Sequence, residues 1–277
     1  MASHDRRLFL DPVAAKVPEI TAMFWVVKLL TTAGGEAMSD YLGDGNLVVG
    51  AAVEIGLLII ALIWQFRVRR YTAVSYWLLA YAIAVFGTGA SDGLHNAAGV
   101  PYGATSLLWA VVLAAVFIWW YRSEGTLSIH SIITRRREGF YWAAVFATFA
   151  LGTALGDYTG TSLGLGFLAS IVLFFVVIMI PAVAWRGFGL NAVAAFWSAY
   201  VVTRPLGASV SDYLGKPHAL SGANFGDAPT ALVSTILVAL GVGYLAITRH
   251  GIQQPFLAQP MAEEMPERGA EAAIRSE

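Results

Sequence analysis

The sequence predicts an all-α integral membrane protein. Eight transmembrane helices are expected, arranged as four parallel two-helix repeats around a pseudo-fourfold axis. Three observations lead there. The 277 residues are 57% hydrophobic and only 13% charged, with a mean hydropathy of +0.65, whereas an ordinary soluble domain carries roughly 25% charged residues. So few charges cannot cover a water-facing surface. The second observation is a repeated plan: an aromatic residue and Trp, then Gly ten residues beyond the Trp and Asp fifteen beyond it. The four copies are Trp25–Gly35–Asp40, Trp77–Gly87–Asp92, Trp142–Gly152–Asp157 and Trp197–Gly207–Asp212. A recurring unit of this kind decides the architecture ahead of any local reading. The third is sorted charge. Of seventeen Lys and Arg, fourteen fall in the termini and in alternate loops, Lys216 alone falls in a loop of the opposite set, and Lys28 and Arg204 lie inside apolar segments.

Taken in order, residues 1–16 form a polar tail expected to be cytoplasmic. The first apolar segment runs from about Val17 to Leu42, LGDGN turns the chain, and Leu47 to Phe66 is the second. After the basic loop RVRR, Tyr71 to Leu94 and Ala104 to Tyr121 are the third and fourth. A longer polar stretch, RSEGTLSIHSIITRRREG, precedes Phe140 to Tyr158, and Leu163 to Trp185 follows. Ala192 to Leu214 and Ala228 to Thr248 are the last two. Each approaches the ~20 residues that span ~30 Å of hydrocarbon. The membrane domain is thus 17–250, with repeats at about 17–66, 71–121, 138–185 and 191–248; residues 251–277, polar and rich in Pro, Glu and Ala, are expected to be a disordered cytoplasmic tail. The N-terminus lacks the apolar core of a cleaved signal peptide, so the first helix is expected to remain.

The positive-inside rule puts both termini in the cytoplasm, as a multi-pass protein of the bacterial inner membrane. Each repeat then enters and leaves on the cytoplasmic side, so all four point the same way, as repeats rotated about the membrane normal do.

Residues four apart share a helix face. At six, ten and fourteen beyond each Trp stand Thr31–Gly35–Ser39, Ile83–Gly87–Ser91, Thr148–Gly152–Gly156 and Thr203–Gly207–Ser211. Such a small-residue stripe lets membrane helices approach closely, so Gly35, Gly87, Gly152 and Gly207 are expected to be packing positions. The neighbouring stripe is polar: Lys28, Thr32, Glu36 and Asp40 in the first copy, Tyr200, Arg204, Ala208 and Asp212 in the fourth, with Thr88 before Asp92 and Thr153 before Asp157. Charge within a membrane segment is costly and points to a functional site. The Trp residues are expected in a cytoplasmic aromatic belt. Each Asp, about 22 Å further along its helix, then sits near the outer mouth at a helix C-terminus, where the dipole disfavours it.

Something positive must compensate. Asp40, Asp92, Asp157, Asp212, Glu36 and Glu54 are opposed by only Lys28 and Arg204, which are assigned to charge coupling. Hard oxygen ligands suit Mg²⁺, Ca²⁺ or Mn²⁺, so the six carboxylates are the candidate metal ligands. Two alternatives stand beside this: the Asp residues close turns or cap the next helix, and Lys28 and Arg204 neutralise acids structurally. Pro205 is expected to kink its helix. His95 and His218 are read as solvated loop residues, and Glu19 and Glu138 as favourable partners of helix N-termini. The absence of cysteine excludes disulfides and thiolate sites.

These residues point to a cation transporter: divalent metal efflux, Mn²⁺-like, coupled to protons, with the metal as substrate and no tightly bound cofactor. The alternatives are a cation-selective channel with an acidic outer vestibule and a structural membrane protein without transport. No His-rich cluster, Ser–His pairing or phosphate loop suggests an enzyme. The expected partners are the lipid bilayer, the cation and protons, not nucleic acid; a homo-oligomer is open.

The stretches KVPEITAMFWVVKLLTTAGGEAMSDYL, FALGTALGD and FWSAYVVTRPLGASVSD resemble a bacterial family of multi-spanning "uncharacterised membrane-anchored" proteins built from a repeat of unknown function. The resemblance covers about residues 16–250. It implies the repeat count, and no activity or site residue is carried over from it. The second copy departs from the fuller pattern in having neither an embedded basic residue nor a Glu.

Overall fold

A computed structural model describes residue 12 and residues 14–253. The remainder of the expected N-terminal tail, and residues 254–277 of the expected C-terminal one, lie outside the described residues. Eight α-helices follow one another: α1 (Ala22–Gly45), α2 (Leu47–Arg67), α3 (Ala73–Asn96), α4 (Tyr102–Glu124), α5 (Arg135–Asp157), α6 (Phe167–Phe188), α7 (Ala192–Gly215) and α8 (Asp227–Thr248). Helix α5 runs on into a π-helical turn, Tyr158–Ser162. There is no strand among the described residues. Side-chain caps start several helices: Thr21 accepts from the Phe24 N–H, Asn46 from Val48 and Val49, Thr134 from Arg137, and Asn191 from Val193 and Ala194. Such caps satisfy the orphan amides of the first turn.

Two layers form. The odd helices make a closed inner ring, with α1 against α3 and α7, and α5 against α3 and α7. The even helices lie outside it, and each packs most heavily on the odd helix of the next repeat: α2 on α3, α4 on α5, α6 on α7, and α8 back on α1. The even helices turn large apolar side chains outward, among them Val48, Ile60, Leu107, Phe175 and Leu240. Polar and charged residues such as Lys28, Glu36, Arg204 and Asp212 are buried. Apolar outside and polar inside is the arrangement a bilayer requires. Six helices, α2, α3, α4, α5 with its π turn, α6 and α8, are long and apolar enough to cross a membrane. Helices α1 and α7 fall outside that group because they carry the charged inward stripe.

The glycines of the small stripe explain the ring. A Cβ on Gly35 would lie 2.3 Å from Ala84 Cβ, on Gly87 2.9 Å from Phe149 Cβ, on Gly152 2.2 Å from Arg204 Cγ, and on Gly207 2.0 Å from Thr32 Oγ1. Each glycine therefore meets the residue seven beyond the next repeat's Trp, in cyclic order. Gly35→Val is expected to lower stability by at least the roughly 1–3 kcal/mol typical of overpacking, seen as a lower melting temperature in detergent. Gly56, with nothing within 4 Å of an added Cβ, is the control: Gly56→Ala should stabilise by roughly 0.5–1 kcal/mol, since it removes a helix-interior glycine.

The aromatic belt is a correction. Trp77, Trp142 and Trp197 are buried, and they pack with Phe24, Tyr76, Tyr141 and Tyr200 across the inside of the bundle. Counted from the Trp, positions three, seven and eleven beyond share its helix face, so these three belong to the inward polar stripe, whereas Trp25 is half-buried against Phe24 and Phe196. Beyond this layer, near the described ends of the chain, Glu138 is the hub of a buried network. Lys16 Nζ lies 3.1 Å and Arg135 Nη1 2.8 Å from its two oxygens, and Gln65 Nε2 donates to it at 3.0 Å. Lys16, counted from sequence as a tail charge, is fully buried and also donates to the carbonyls of Gln65 and Val68. Burial draws its pKa below the ordinary lysine value against the opposing pull of Glu138.

Candidate functional site

One helix face delivers the site. Along the inward stripe of α1 stand Lys28, Thr32, Glu36 and Asp40, and α3, α5 and α7 present Thr88 and Asp92, Thr153 and Asp157, and Arg204 and Asp212 at matching heights. Arg204 is fully buried and reaches the other three inner helices at once. Its Nη1 donates to the Thr32 carbonyl of α1 at 3.0 Å. Its Nη2 makes short contacts with Glu36 of α1 and Thr88 of α3, and donates to Thr153 of α5 at 2.8 Å. Thr88 and Thr153 in turn donate to Glu36 at 2.9 and 3.1 Å. A planar guanidinium with a fixed fork of donors suits such a clamp better than an ammonium. Helix α7 stays helical through Pro205, whose Cδ lies 3.0 Å from where a Gly152 Cβ would be.

Above the clamp opens a cavity of about 390 Å³. All four repeat aspartates line it, with Glu36 on its floor and Glu54 of α2 on its wall. Helix positioning is again specific. Glu54 accepts from Ser39 at 2.6 Å and lies against Gly89, where a Cβ would be 2.0 Å from its Oε2. Asp44, Ser39, Tyr102, Asn96 and Lys216 complete the lining. Seven acidic residues thus face two bases, Arg204 beneath and Lys216 beside them. The Lys216 ammonium lies 2.8 Å from Asp40 and 3.5 Å from Asp227. Burial alone would lower its pKa, but Asp40, Asp212 and Asp227 outweigh that and hold it above the ordinary lysine value. Asp92 Oδ1 and Asp212 Oδ2 have no hydrogen-bond partner among the described residues.

The structure places the six expected carboxylates around one space and separates the two expected bases. Arg204 joins the floor. Lys28 lies below it, where its ammonium has no hydrogen-bond partner among the described residues and sits 3.9 Å over the Tyr200 ring and 4.5 Å from that of Phe149. The aspartates do not cap the following helices, whose N-caps are Asn46, Pro101, Gly166 and Gly226. His95 is held by the Val100 carbonyl and the Tyr102 ring, and His218 by the Gly222 carbonyl. No three His, Asp or Glu side chains are placed to grip a metal ion together among the described residues. Sequence reading missed Asp44, hidden in a turn-like LGDGN, and Lys216. The signal for the latter was its position as the lone base in its set of loops.

A ring of four like helices with polar residues inside and apolar residues outside defines a multi-pass membrane protein built from an internal repeat. The family described as Repeat of Unknown Function (DUF347) matches at residues 23–71, 75–126, 140–189 and 195–250. The chain belongs to that family. No curated protein and no solved structure matches it.

Proposed function

We propose that the protein is a cation carrier of the bacterial inner membrane. Its eight helices, α1 and α7 included, cross the bilayer as four parallel repeats about a pseudo-fourfold axis, with both termini cytoplasmic. The observation that carries this is the chamber, where seven acids from α1, α2, α3, α5 and α7 share one cavity with a single lysine, over an arginine that spans the axis. An electronegative cavity with low-dielectric walls concentrates cations. The cargo read from the sequence, a divalent metal of the Mn²⁺ type exchanged against protons, is retained. Its carboxylates are spread around the cavity instead of gathered at a point, which suits an ion that keeps part of its water shell, as Mg²⁺-like ions do.

A carrier is favoured over a channel because the axis is obstructed twice below the chamber. The Arg204–Glu36 clamp crosses it first, and the buried Tyr76, Tyr141 and Tyr200 layer lies further in. The test is Mn²⁺ flux into liposomes containing the purified protein, with and without an opposing pH gradient. Saturable flux that the gradient accelerates supports the carrier. A large ohmic current would instead establish the channel, and flux equal to that of empty liposomes would remove both.

A further inference from the structure

The chamber has a cation of its own, and its tether is built to hold it there. Lys216 directly follows the last residue of α7, and its N–H donates to the Asp212 carbonyl at 2.9 Å. The loop beyond folds straight back. Asn224 N–H donates to the Lys216 carbonyl at 3.0 Å, Phe225 to Leu214 at 3.0 Å and Gly226 to Gly215 at 3.1 Å. The lysine backbone is therefore held on both sides, by the last turn of α7 at its N–H and by the returning loop at its carbonyl. Gly215 leaves room for the pairing that follows, because a Cβ there would lie 2.2 Å from Asp227 Oδ1 and push that carboxylate aside. Without it, Asp227 approaches from α8 while Asp40 approaches from α1, and the ammonium sits between them at the cavity wall. One turn back on α7, Asp212 lines the same cavity; it is 2% exposed and its Oδ2 has no partner among the described residues.

We propose that the Lys216 ammonium is a tethered competitor for the cargo: an entering cation takes its place on Asp40, and the lysine's return expels the cation. The proposal rests on the cation-carrier reading above and adds the residue that sets affinity and release. An empty chamber is then never left with all its acids uncompensated, and a bound cation always meets a rival a side-chain rotation away. An ion bound without displacement would lie close to a like charge, which weakens binding at any plausible interior dielectric.

The experiment is Mn²⁺ titration of the purified full-length protein by calorimetry, with wild type, Lys216→Gln and Lys216→Arg compared, and Lys216→Met read in place of the glutamine variant should that one not fold. The neutral variant is expected to bind Mn²⁺ about tenfold more tightly, and the arginine variant to stay near wild type. In liposomes the neutral variant should release its cargo more slowly, so flux at saturating Mn²⁺ falls while half-saturation shifts to lower concentration. Equal Mn²⁺ affinity in wild type and neutral variant overturns the role of Lys216 and leaves the carrier reading standing. Absence of saturable Mn²⁺ binding in all of them overturns both.

Discussion

An Arg204→Leu protein is expected to lose about 3–5 kcal/mol of stability, the usual cost of leaving one partner of a buried ion pair unpaired. That is a large share of the roughly 5–15 kcal/mol that holds a folded protein together. The loss has two parts. Glu36 keeps Thr88 and Thr153 as donors but loses its counter-charge. The Thr32 carbonyl loses its long-range donor, and α7 is no longer tied to α1, α3 and α5 at the centre of the ring. The double variant Glu36→Gln/Arg204→Leu removes the stranded charge and should recover a substantial part of the loss, a coupling that a double-mutant cycle reads directly. Melting of the four proteins in detergent checks this. If Arg204→Leu melts with the wild type, the clamp does not hold the inner ring together.

The second large effect is on transport. Asp40→Asn combined with Asp157→Asn removes two of the acids that line the chamber, from opposite members of the inner ring. A unit charge about 8 Å from a cation, at an effective dielectric of about 20, contributes roughly 2 kcal/mol, or about 30-fold in affinity. Half-saturation for Mn²⁺ in liposomes should therefore rise by at least that factor, with the fold intact because neither side chain makes a helix-capping hydrogen bond. In cells, tolerance to added Mn²⁺ should fall to that of cells without the protein. Unchanged flux and tolerance would mean that these carboxylates serve the turns alone.

Much of this site was legible because the repeat and the helix share one arithmetic. The ten-residue and fifteen-residue offsets from each Trp give the packing glycine and the chamber aspartate on adjacent stripes, and a ring of equivalent helices necessarily brings equivalent stripes to one axis. Glu36 and Arg204 were visible as charges that apolar segments tolerate only for a reason. Their pairing was not, since it joins residues 168 apart and nothing local selects Glu36 over Asp212 as the partner. The same limit hid Lys216, 176 residues from Asp40, and Lys16, whose partner Glu138 looked sufficiently explained by its place at the start of α5. Trp77, Trp142 and Trp197 were misplaced for a different reason. A residue near a helix end satisfies a membrane-interface belt and an interior plug equally well by depth, and only its phase relative to the polar stripe separates the two. The exchange of even helices between neighbouring repeats left no mark in the periodicity, because the even helices are apolar on nearly every face.

The measurement closest to the central claim is an experimental structure of the protein with Mn²⁺, read by anomalous scattering. The account predicts one peak inside the chamber, within a water-bridged reach of Asp40, Asp92, Asp157 and Asp212, with the Lys216 ammonium moved off Asp40. A peak confined to the outer surface, or none at saturating Mn²⁺, would contradict it.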